Sequence, residues 1–123
     1  MATDSGKIVA DFCQSWARRN IDEVMSYLSE DCFYHNIPME PLVGHPAIRG
    51  FLEPFLKTSQ SASLEEKHQV VNGNVVIDER VDTFVQGPKT ITIPVCGVFE
   101  IRNGKIASWR DYFDLATFTK QMG

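Results

Sequence analysis

Three charged residues lie in segments with the apolar, β-branched composition of β-strands, where an unpaired charge is unusual. Arg80 and Asp82 are two positions apart in one such segment. Because alternate residues of a strand share a face, their side chains should point the same way. In a second segment Asp111 has Trp109 and Phe113 as its same-face neighbours. A carboxylate on a buried aromatic face needs a cationic partner, and Arg80 is the candidate.

The proton count of this trio indicates acid–base chemistry. Two carboxylates and one guanidinium carry a net charge of −1, and one added proton makes the set neutral, which suits a low-dielectric cavity. Neighbouring like charges raise the pKa of the second carboxyl, so one acid can stay protonated near neutral pH. A carboxylate that accepts a proton, beside a carboxylic acid that donates one, fits an addition of water. The alternative is a buried ion-pair network with a purely structural role.

Tyr34 and Asn36 add two polar groups to one face of another predicted strand. A tyrosine hydroxyl and an asparagine amide oxygen can both hold a water molecule. With an ionised Asp111 they would provide three anchors for one water. A structural role, in which the hydroxyl bonds a backbone carbonyl, is an equal alternative for these two residues. His35 lies between them, faces the other way and is expected at the surface or an interface.

Length and charge limit the classes of function. A chain of 123 residues is expected to form a single domain over residues 1–123, large enough for a core of its own. The formal net charge of −4 leaves no basic patch, so nucleic acid is not an expected partner. No apolar run is long enough to cross a bilayer, and Met1–Gly6 lacks the apolar region of a signal peptide. Membrane insertion is therefore not expected.

The cysteines and histidines do not predict a metal or redox site. Cys13, Cys32 and Cys96 are odd in number and widely spaced, as is typical of reduced, mostly buried cysteines in a cytoplasmic protein. Cys96 has no histidine near it in sequence that would favour a nucleophilic role. The three histidines do not have the spacing of metal ligands. Neither a metal nor an organic cofactor is expected.

The first half of the chain predicts helices. Ser5 is expected to cap a first helix and Asn20 a second one. Residues 33–37 alternate like a short strand, and Pro46 is expected at the first position of a third helix, which Pro54 should kink or end. The apolar stripe of the first helix consists of Ile8, Val9, Phe12, Cys13 and Trp16.

The second half predicts a series of long antiparallel strands, and the whole layout is α+β. Residues 64–71 are ambiguous between helix and strand. Gly97 is a candidate for a bend or bulge. The remaining predicted elements are strands over 75–85, 89–102 and 105–114, tight turns at 72–74 and 103–104, and a closing helix over 115–121.

Four motifs in order along the chain resemble the limonene-1,2-epoxide hydrolase family. They are residues 34–39 (YHNIPM), 79–82 (ERVD), 94–100 (PVCGVFE) and 109–114 (WRDYFD). The similarity runs from about Ile8 to Gln121. It implies the cone-shaped α+β fold shared with nuclear transport factor 2 and ketosteroid isomerase. In that fold a strongly curved, mixed but mainly antiparallel sheet forms a pocket covered by N-terminal helices. The resemblance also implies a homodimer formed through the outer face of the sheet.

The resemblance also implies roles for the matching residues. Asp111 corresponds to the base that takes a proton from the attacking water, and Tyr34 and Asn36 to the other groups that hold this water. Asp82 corresponds to the acid that protonates the epoxide oxygen, and Arg80 to the bridge between the two carboxyls. The implied reaction is a one-step addition of water to a small apolar epoxide of the terpene or cycloalkene type. It yields a vicinal diol without a covalent intermediate, metal or cofactor.

An apolar pocket is expected around these groups. Phe84 and Phe113 are nominated because they share a strand face with Asp82 and Asp111, respectively. Positions that match the family nominate further lining residues, which are Trp16, Ile93, Val95 and Phe118. For each of the six, ordinary core packing is the alternative.

Two other classes of function are also compatible with these residues. An isomerase or cyclase on the same cone would use Asp111 as its base and Tyr34 to bind an oxyanion, but would leave the Arg80–Asp82 pair without a role. A non-enzymatic small-molecule-binding module is a further use of such a fold. An epoxide hydrolase needs proton transfer from Asp82, whereas the isomerase or cyclase and the binding module do not.

Overall fold

The computed structural model of the protein describes residues 4–123. Met1, Ala2 and Thr3, which belong to the N-terminal stretch considered above for a signal peptide, lie outside this range. A short 3₁₀ turn, Trp16–Arg18, follows the first helix. In chain order the helices and strands are α1 (Ser5–Ser15), α2 (Ile21–Ser26), β1 (Leu28–Asn36), β2 (Leu42–Val43), α3 (His45–Thr58), β3 (Ser61–Asn72), β4 (Val75–Gln86), β5 (Lys89–Arg102), β6 (Lys105–Tyr112) and α4 (Leu115–Met122).

The strands form one mixed, mainly antiparallel sheet in the order β2-β1-β6-β5-β4-β3. Strands β3 to β6 are consecutive antiparallel neighbours, whereas β1 pairs with β6 in parallel. The parallel pair places Tyr34 beside Trp109 and Asn36 beside Asp111. The α+β layout is confirmed, and this parallel pair brings the polar residues of the helical half next to those of the strand half.

The N-terminal helices begin at side-chain caps, one of which differs from the prediction. Asp4, not Ser5, caps α1: its backbone is extended and its carboxylate accepts a hydrogen bond from the Lys7 amide at 3.1 Å. Ser5 is already helical and buried, so its hydroxyl is not the cap. Asn20 caps α2 as predicted, through the Glu23 amide. In both helices the cap satisfies an amide that has no partner within the helix.

Helix α3 runs through its internal proline. It begins at His45, so Pro46 occupies the second helical position and not the first. Pro54 does not end the helix, which continues to Thr58. A proline removes one bond to the carbonyl four residues earlier. Here that residue is Gly50, which has open space around its α-carbon, and the helix beyond Pro54 is held by burial of Leu56.

Several strand boundaries also differ from the predictions. The ambiguous segment is strand β3, and β1 begins at Leu28, five residues earlier than predicted. Strand β6 ends at Tyr112 because Asp114 serves as the cap of α4. The tight turns at Gly73 and at Asn103–Gly104 are confirmed, each with positive φ.

The predicted bulge at Gly97 is absent from the pairing of β5 with β4, and Gly97 also pairs regularly with β6. The sheet is irregular elsewhere. The register shifts lie between Glu66 and His68 in β3, between Leu28 and Phe33 in β1, and between Glu100 and Ile101 in β5. These irregularities mark the places where the ladder can bend.

The core lies between the inner face of the sheet and the helices α1, α2 and α3. Phe12 of α1 makes edge-to-face contacts with Trp109 at 5.0 Å and with Phe99 at 6.3 Å between ring centroids. Such aromatic contacts add to the stabilisation from apolar burial. The helices thus cover the sheet on the side where the charged trio is expected.

Other properties of the chain follow from the same structure. Cys13 and Cys32 are buried and Cys96 is exposed, and all three are unpaired. The prediction of mostly buried cysteines therefore holds for two of them. Within residues 4–123, no helix has the length and apolarity needed to span a membrane.

Candidate active site

Arg80 is buried at the centre of the charged residues, with a relative exposure of 1%. Its Nε and Nη2 donate to the two carboxylate oxygens of Asp82, each at 3.0 Å. Nη2 also donates to Asp111 Oδ2 at 3.0 Å. The structure therefore brings the predicted trio together, with β4 supplying Arg80 and Asp82 and β6 supplying Asp111. One guanidinium bridges both carboxylates in a geometry that a lysine could not reproduce.

Asp78 is a third carboxylate of the same cluster, which the sequence reasoning missed. Arg80 Nη1 donates to Asp78 Oδ1 at 3.0 Å, and the Gly97 amide donates to the same oxygen at 3.2 Å. The alternation of side chains along a strand indicates this residue, because Asp78 precedes Arg80 by two positions and shares its face. With all three acids ionised the set carries −2, so it becomes neutral with two protons and not with one.

Gly97 provides the space in which Arg80 and Asp78 meet. A β-carbon at this position would overlap Arg80 Nη1 and would lie 2.6 Å from Asp78 Oδ1 and 2.8 Å from Phe99. Glycine in a strand interior often marks such a close approach. The role of this glycine is therefore steric, where the sequence suggested a bend.

Burial and the shared guanidinium have opposite effects on the acids. Burial raises the pKa of Asp82 to about 6, although the contact with Arg80 acts to lower it. Burial likewise raises the pKa of Asp111, opposed by Arg80 and by the Trp109 N–H. Burial disfavours the charge on Arg80, yet Asp111 and Asp82 together hold its pKa well above the ordinary value. The cluster thus combines a permanent cation with two acids whose pKa values burial raises, that of Asp82 to about 6.

Tyr34 and Asn36 lie beside Asp111, as the parallel pairing of β1 with β6 requires. The Asn36 amide nitrogen donates to Tyr34 Oη at 2.8 Å, which leaves Asn36 Oδ1 free to accept a hydrogen bond. The ring of Tyr34 stacks on Trp109 at 3.8 Å between centroids, and burial raises the pKa of its phenol, which therefore stays protonated. His35 is partly exposed, and its Nε2 lies 2.8 Å from the Met39 carbonyl oxygen.

Trp109 holds Asp111 from a second side. Its Nε1 donates to Asp111 Oδ1 at 3.0 Å, while Arg80 occupies Oδ2. Strand parity predicts that Trp109 shares a face with Asp111, but it does not indicate this polar contact. Each oxygen of Asp111 therefore has a donor within the protein, and these donors favour its ionised form.

A cavity of about 320 Å³ opens onto this cluster. Its polar lining comes from Tyr34, Asn36, Asp82 and Asp111, and the rest is almost entirely apolar. All six apolar residues predicted to line it do so, namely Trp16, Phe84, Ile93, Val95, Phe113 and Phe118. Further lining residues that the sequence reasoning missed are Met39, Phe51, Leu52, Phe55, Leu64 and Met122. The sequence shows that these six residues are apolar, but which elements they pack against depends on the tertiary structure.

Among residues 4–123, one group of side chains has donor atoms close enough to hold a cation. Atoms of Cys13, Glu66 and Asp78 lie within 4.8 Å of one another. Burial raises the pKa of Cys13 well above its ordinary value, so this thiol is not the thiolate that metal binding requires. Asp78 is also already paired with Arg80. The chemistry of this group does not favour a metal.

The sequence of this chain is similar to proteins described as epoxide hydrolases. A family described as the limonene-1,2-epoxide hydrolase catalytic domain matches residues 3–123. Epoxide hydrolase EphG of Mycobacterium tuberculosis (strain ATCC 25618 / H37Rv) is 35% identical over 112 residues, which are 87% of this chain and 71% of that protein.

Solved structures add to this comparison. The structure of an M. tuberculosis LEH-like epoxide hydrolase matches with a TM-score of 0.86 and 28% identity, over 98% of this chain and 90% of the other. A putative polyketide cyclase from Xanthomonas campestris pv. campestris matches with a TM-score of 0.84 and 20% identity, over 97% and 96% of the two chains. The likeness to the polyketide cyclase, at 20% identity, concerns the fold alone.

Proposed function

Because the chain belongs to the limonene-1,2-epoxide hydrolase family, we propose that it adds water to a small apolar epoxide in one step. The product is a vicinal diol, and no covalent intermediate forms. The observation that carries this proposal is the position of Arg80, which bonds Asp82 and Asp111 at once while both acids face the apolar cavity. Such an arrangement keeps an acid and a base a short distance apart, as a concerted addition requires.

In the proposed reaction Asp111 acts as the base. A water held by Asp111, Tyr34 and Asn36 attacks one epoxide carbon and transfers a proton to Asp111. The bond from that carbon to the epoxide oxygen breaks, and the oxygen takes the proton of Asp82. A pKa of about 6 lies well above the ordinary value of an aspartic acid, so Asp82 is mostly protonated below pH 6 and keeps a protonated fraction near neutral pH. The proton then returns from Asp111 to Asp82 through water in the cavity, which restores the enzyme.

The proposed proton transfers and the alignment of water can supply a substantial rate enhancement for epoxide opening. General acid and general base catalysis each contribute on the order of 10²–10⁴-fold, and alignment of water with the epoxide carbon contributes more. Ring strain already favours opening, so the protein supplies placement and proton transfer.

The cavity supports an epoxide of the terpene or cycloalkene type. Its volume of about 320 Å³ is at the lower end of the range for small-molecule pockets. Phe84, Phe113 and Phe118 offer aromatic surface but no hydrogen bonds to a polar substrate. A screen of terpene, cycloalkene and aryl epoxides with chiral analysis of the diols would define the preferred substrate.

The proposal predicts that Asp111→Asn, Asp82→Asn and Arg80→Ala each lower kcat by at least about 10²-fold, because each removes one proton-transfer group or the bridge between them. The folded state of each variant would be checked by circular dichroism, with the exposed Glu65→Gln as a control of unchanged activity. A single turnover in ¹⁸O-water should place the label directly in the diol.

Other outcomes of the same experiments would contradict this mechanism. Label found in an Asp carboxylate would mean a covalent intermediate. Proton exchange next to a carbonyl, unaffected by Asp82→Asn, would favour an isomerase or cyclase. Ligand binding without turnover in the unmodified protein would favour a binding module.

We also propose that the protein forms a homodimer through the outer face of the sheet. Ile77 pairs with Val70 across β3 and β4, and the exposed fractions of these side chains are 41% and 65%. Tyr112 of β6 is 46% exposed. An apolar surface of this kind is common where a second chain packs.

The dimer proposal predicts that Ile77→Lys shifts the protein to a monomer in sedimentation velocity experiments, because a charge would be buried at the interface. Val43→Lys is the matched control, since Val43 is 62% exposed in the edge strand β2. An unmodified protein that is monomeric at micromolar concentration would contradict the proposal.

A cytoplasmic location is proposed from the cysteines. All three are unpaired, and Cys96 is exposed, which suits a reducing compartment. Fractionation of the native cells with a specific antibody tests this location.

A further inference from the structure

Asp78 is the one carboxylate bonded to Arg80 that does not line the cavity. It lies on the Nη1 side of the guanidinium, behind the edge that holds Asp82 and Asp111. Its exposure is 1%, so it cannot touch a substrate. The reaction proposed above gives it no role, although the Gly97 amide and the Arg80 guanidinium both bond its Oδ1.

Glu66 connects Asp78 to the surface. It pairs with Arg80 across β3 and β4, immediately before the irregularity that precedes His68. Its carboxylate lies within 4.8 Å of that of Asp78, and Gln69 Nε2 donates to it at 3.2 Å. Glu66 is partly exposed, whereas Asp78 is not. A carboxylate this close to the buried Asp78 disfavours the ionised form of Asp78.

We propose that Asp78 is a positioning residue for the epoxide-opening reaction, which acts on Asp82 through the Arg80 guanidinium that both carboxyls contact. The charge on Asp78, next to the guanidinium, tunes how readily Asp82 keeps its own proton. This inference rests on the proposed function for its kinetic consequence, but the coupling of Asp78 to Asp82 is a property of the protein alone.

The charged and titratable groups that face Asp78 come from four elements. They are Cys13 of α1, Glu66 of β3, Arg80 and Asp82 of β4, and Asp111 of β6. Burial raises the pKa of Asp78 to about 7, opposed by Arg80 and reinforced by its hydrogen bond with Glu66. The Cys13 thiol stays neutral, because burial raises its pKa. A negative Asp78 in turn raises the pKa of both Asp82 and Asp111.

Two isosteric variants move the charge in opposite directions. Asp78→Asn removes the negative charge next to the guanidinium. Glu66→Gln removes a neighbouring carboxylate that raises the pKa of Asp78, so Asp78 is ionised over a wider pH range. The alkaline limb of the pH profile of kcat/KM reports the acid of the free enzyme. It should move to lower pH in Asp78→Asn and to higher pH in Glu66→Gln, by about 0.5 pH unit or more in each case. A purely structural role would change the height of the profile and leave its position unchanged.

Matched controls come from the neighbouring exposed acids. Glu79→Gln and Glu65→Gln remove the same charge from adjacent positions of β4 and β3 whose side chains are exposed, and should leave the limb in place. The direct readout is the pKa of Asp82 from ¹³C NMR of carboxyl-labelled protein, in which Asp82→Asn identifies the resonance.

The NMR titration separates this inference from the proposed function. Shifts of opposite sign in the two variants support the coupling of Asp78 to Asp82 even if no epoxide is turned over. Shifts of the same sign, or none, overturn it. Absence of epoxide hydrolysis in the unmodified protein would contradict the proposed function alone.

Discussion

Arg80 is the residue on which the geometry of the site depends, because its guanidinium contacts three carboxylates at once. Its Nε and Nη2 bond Asp82, Nη2 also bonds Asp111, and Nη1 bonds Asp78. The planar fork of arginine presents five donors in fixed directions. It can therefore set the distance between Asp82 and Asp111 while it remains charged, whereas an ammonium group has only three donors for these four hydrogen bonds.

Gly97→Ala should disrupt this arrangement. The new methyl group would overlap Arg80 Nη1 and Asp78 Oδ1, and neither side chain can move without losing buried ionic hydrogen bonds. We expect kcat to fall at least about 10-fold and the melting temperature to fall as well. Enzyme assays and calorimetry test this, with Gly50→Ala as the control, because nothing lies within 4 Å of that position. Normal activity in Gly97→Ala would show that the close approach is not needed.

The parallel pairing of β1 with β6 assembles the side of the cavity that is proposed to hold the water. It sets Asn36 beside Asp111 and Tyr34 beside Trp109. The helix α4 closes another part of the cavity with Phe118 and Met122, although it buries no residue fully. Helix α4 is attached to β5 through Gln121, which bonds the backbone of Thr92.

The cap of α4 should therefore affect substrate binding more than chemistry. Asp114 accepts hydrogen bonds from the Thr117 amide and hydroxyl. We expect Asp114→Ala to fray α4 and to raise KM several-fold for an apolar epoxide, with a smaller change in kcat. Steady-state kinetics and hydrogen exchange of α4 measure the two effects, and Lys120→Ala on the exposed face of the helix is the control. An unchanged KM despite faster exchange would mean that α4 does not shape the cavity.

For the molecule as a whole, the buried acids make stability depend on pH in a direction opposite to that of ordinary surface carboxylates. Burial raises the pKa of Asp82 to about 6 and of Asp78 to about 7, above the values of the unfolded chain. At pH values between the pKa of these acids in the unfolded chain and their pKa in the folded protein, the folded state therefore binds more protons than the unfolded state. The free energy of unfolding is therefore largest below about pH 4 for these groups and declines as the pH rises through 6 and 7.

We expect this decline to amount to several kcal/mol between about pH 4 and pH 8, because each pKa unit is worth about 1.4 kcal/mol and the coupled acids do not contribute independently. Denaturant unfolding across this range measures it. Asp78→Asn should flatten the decline, because the amide does not titrate, whereas Glu79→Gln should not. Stability that stays constant or rises over this range would contradict buried, protonated acids. Exposed acids whose pKa is lowered by their contacts, such as Glu23 and Asp31, lose stabilisation only at lower pH.

Local patterns were enough to predict most of the fold and the catalytic candidates. Strand period and turn residues located β4, β5 and the hairpins, and helix caps located α2. The same period placed Arg80 beside Asp82 on one face, because side-chain direction in a strand depends only on position along it. It would equally have indicated Asp78, had parity been extended by two residues.

The tertiary structure decided which of these faces meet. The parallel contact of β1 with β6, the space left by Gly97 and the lining contributed by α3 and α4 all join residues far apart in the chain. The proton count of the cluster also changed, since a third carboxylate shares the guanidinium. Local preferences depend on the nearest residues of the chain, whereas pairing partners, burial and therefore pKa depend on atoms brought close only by folding.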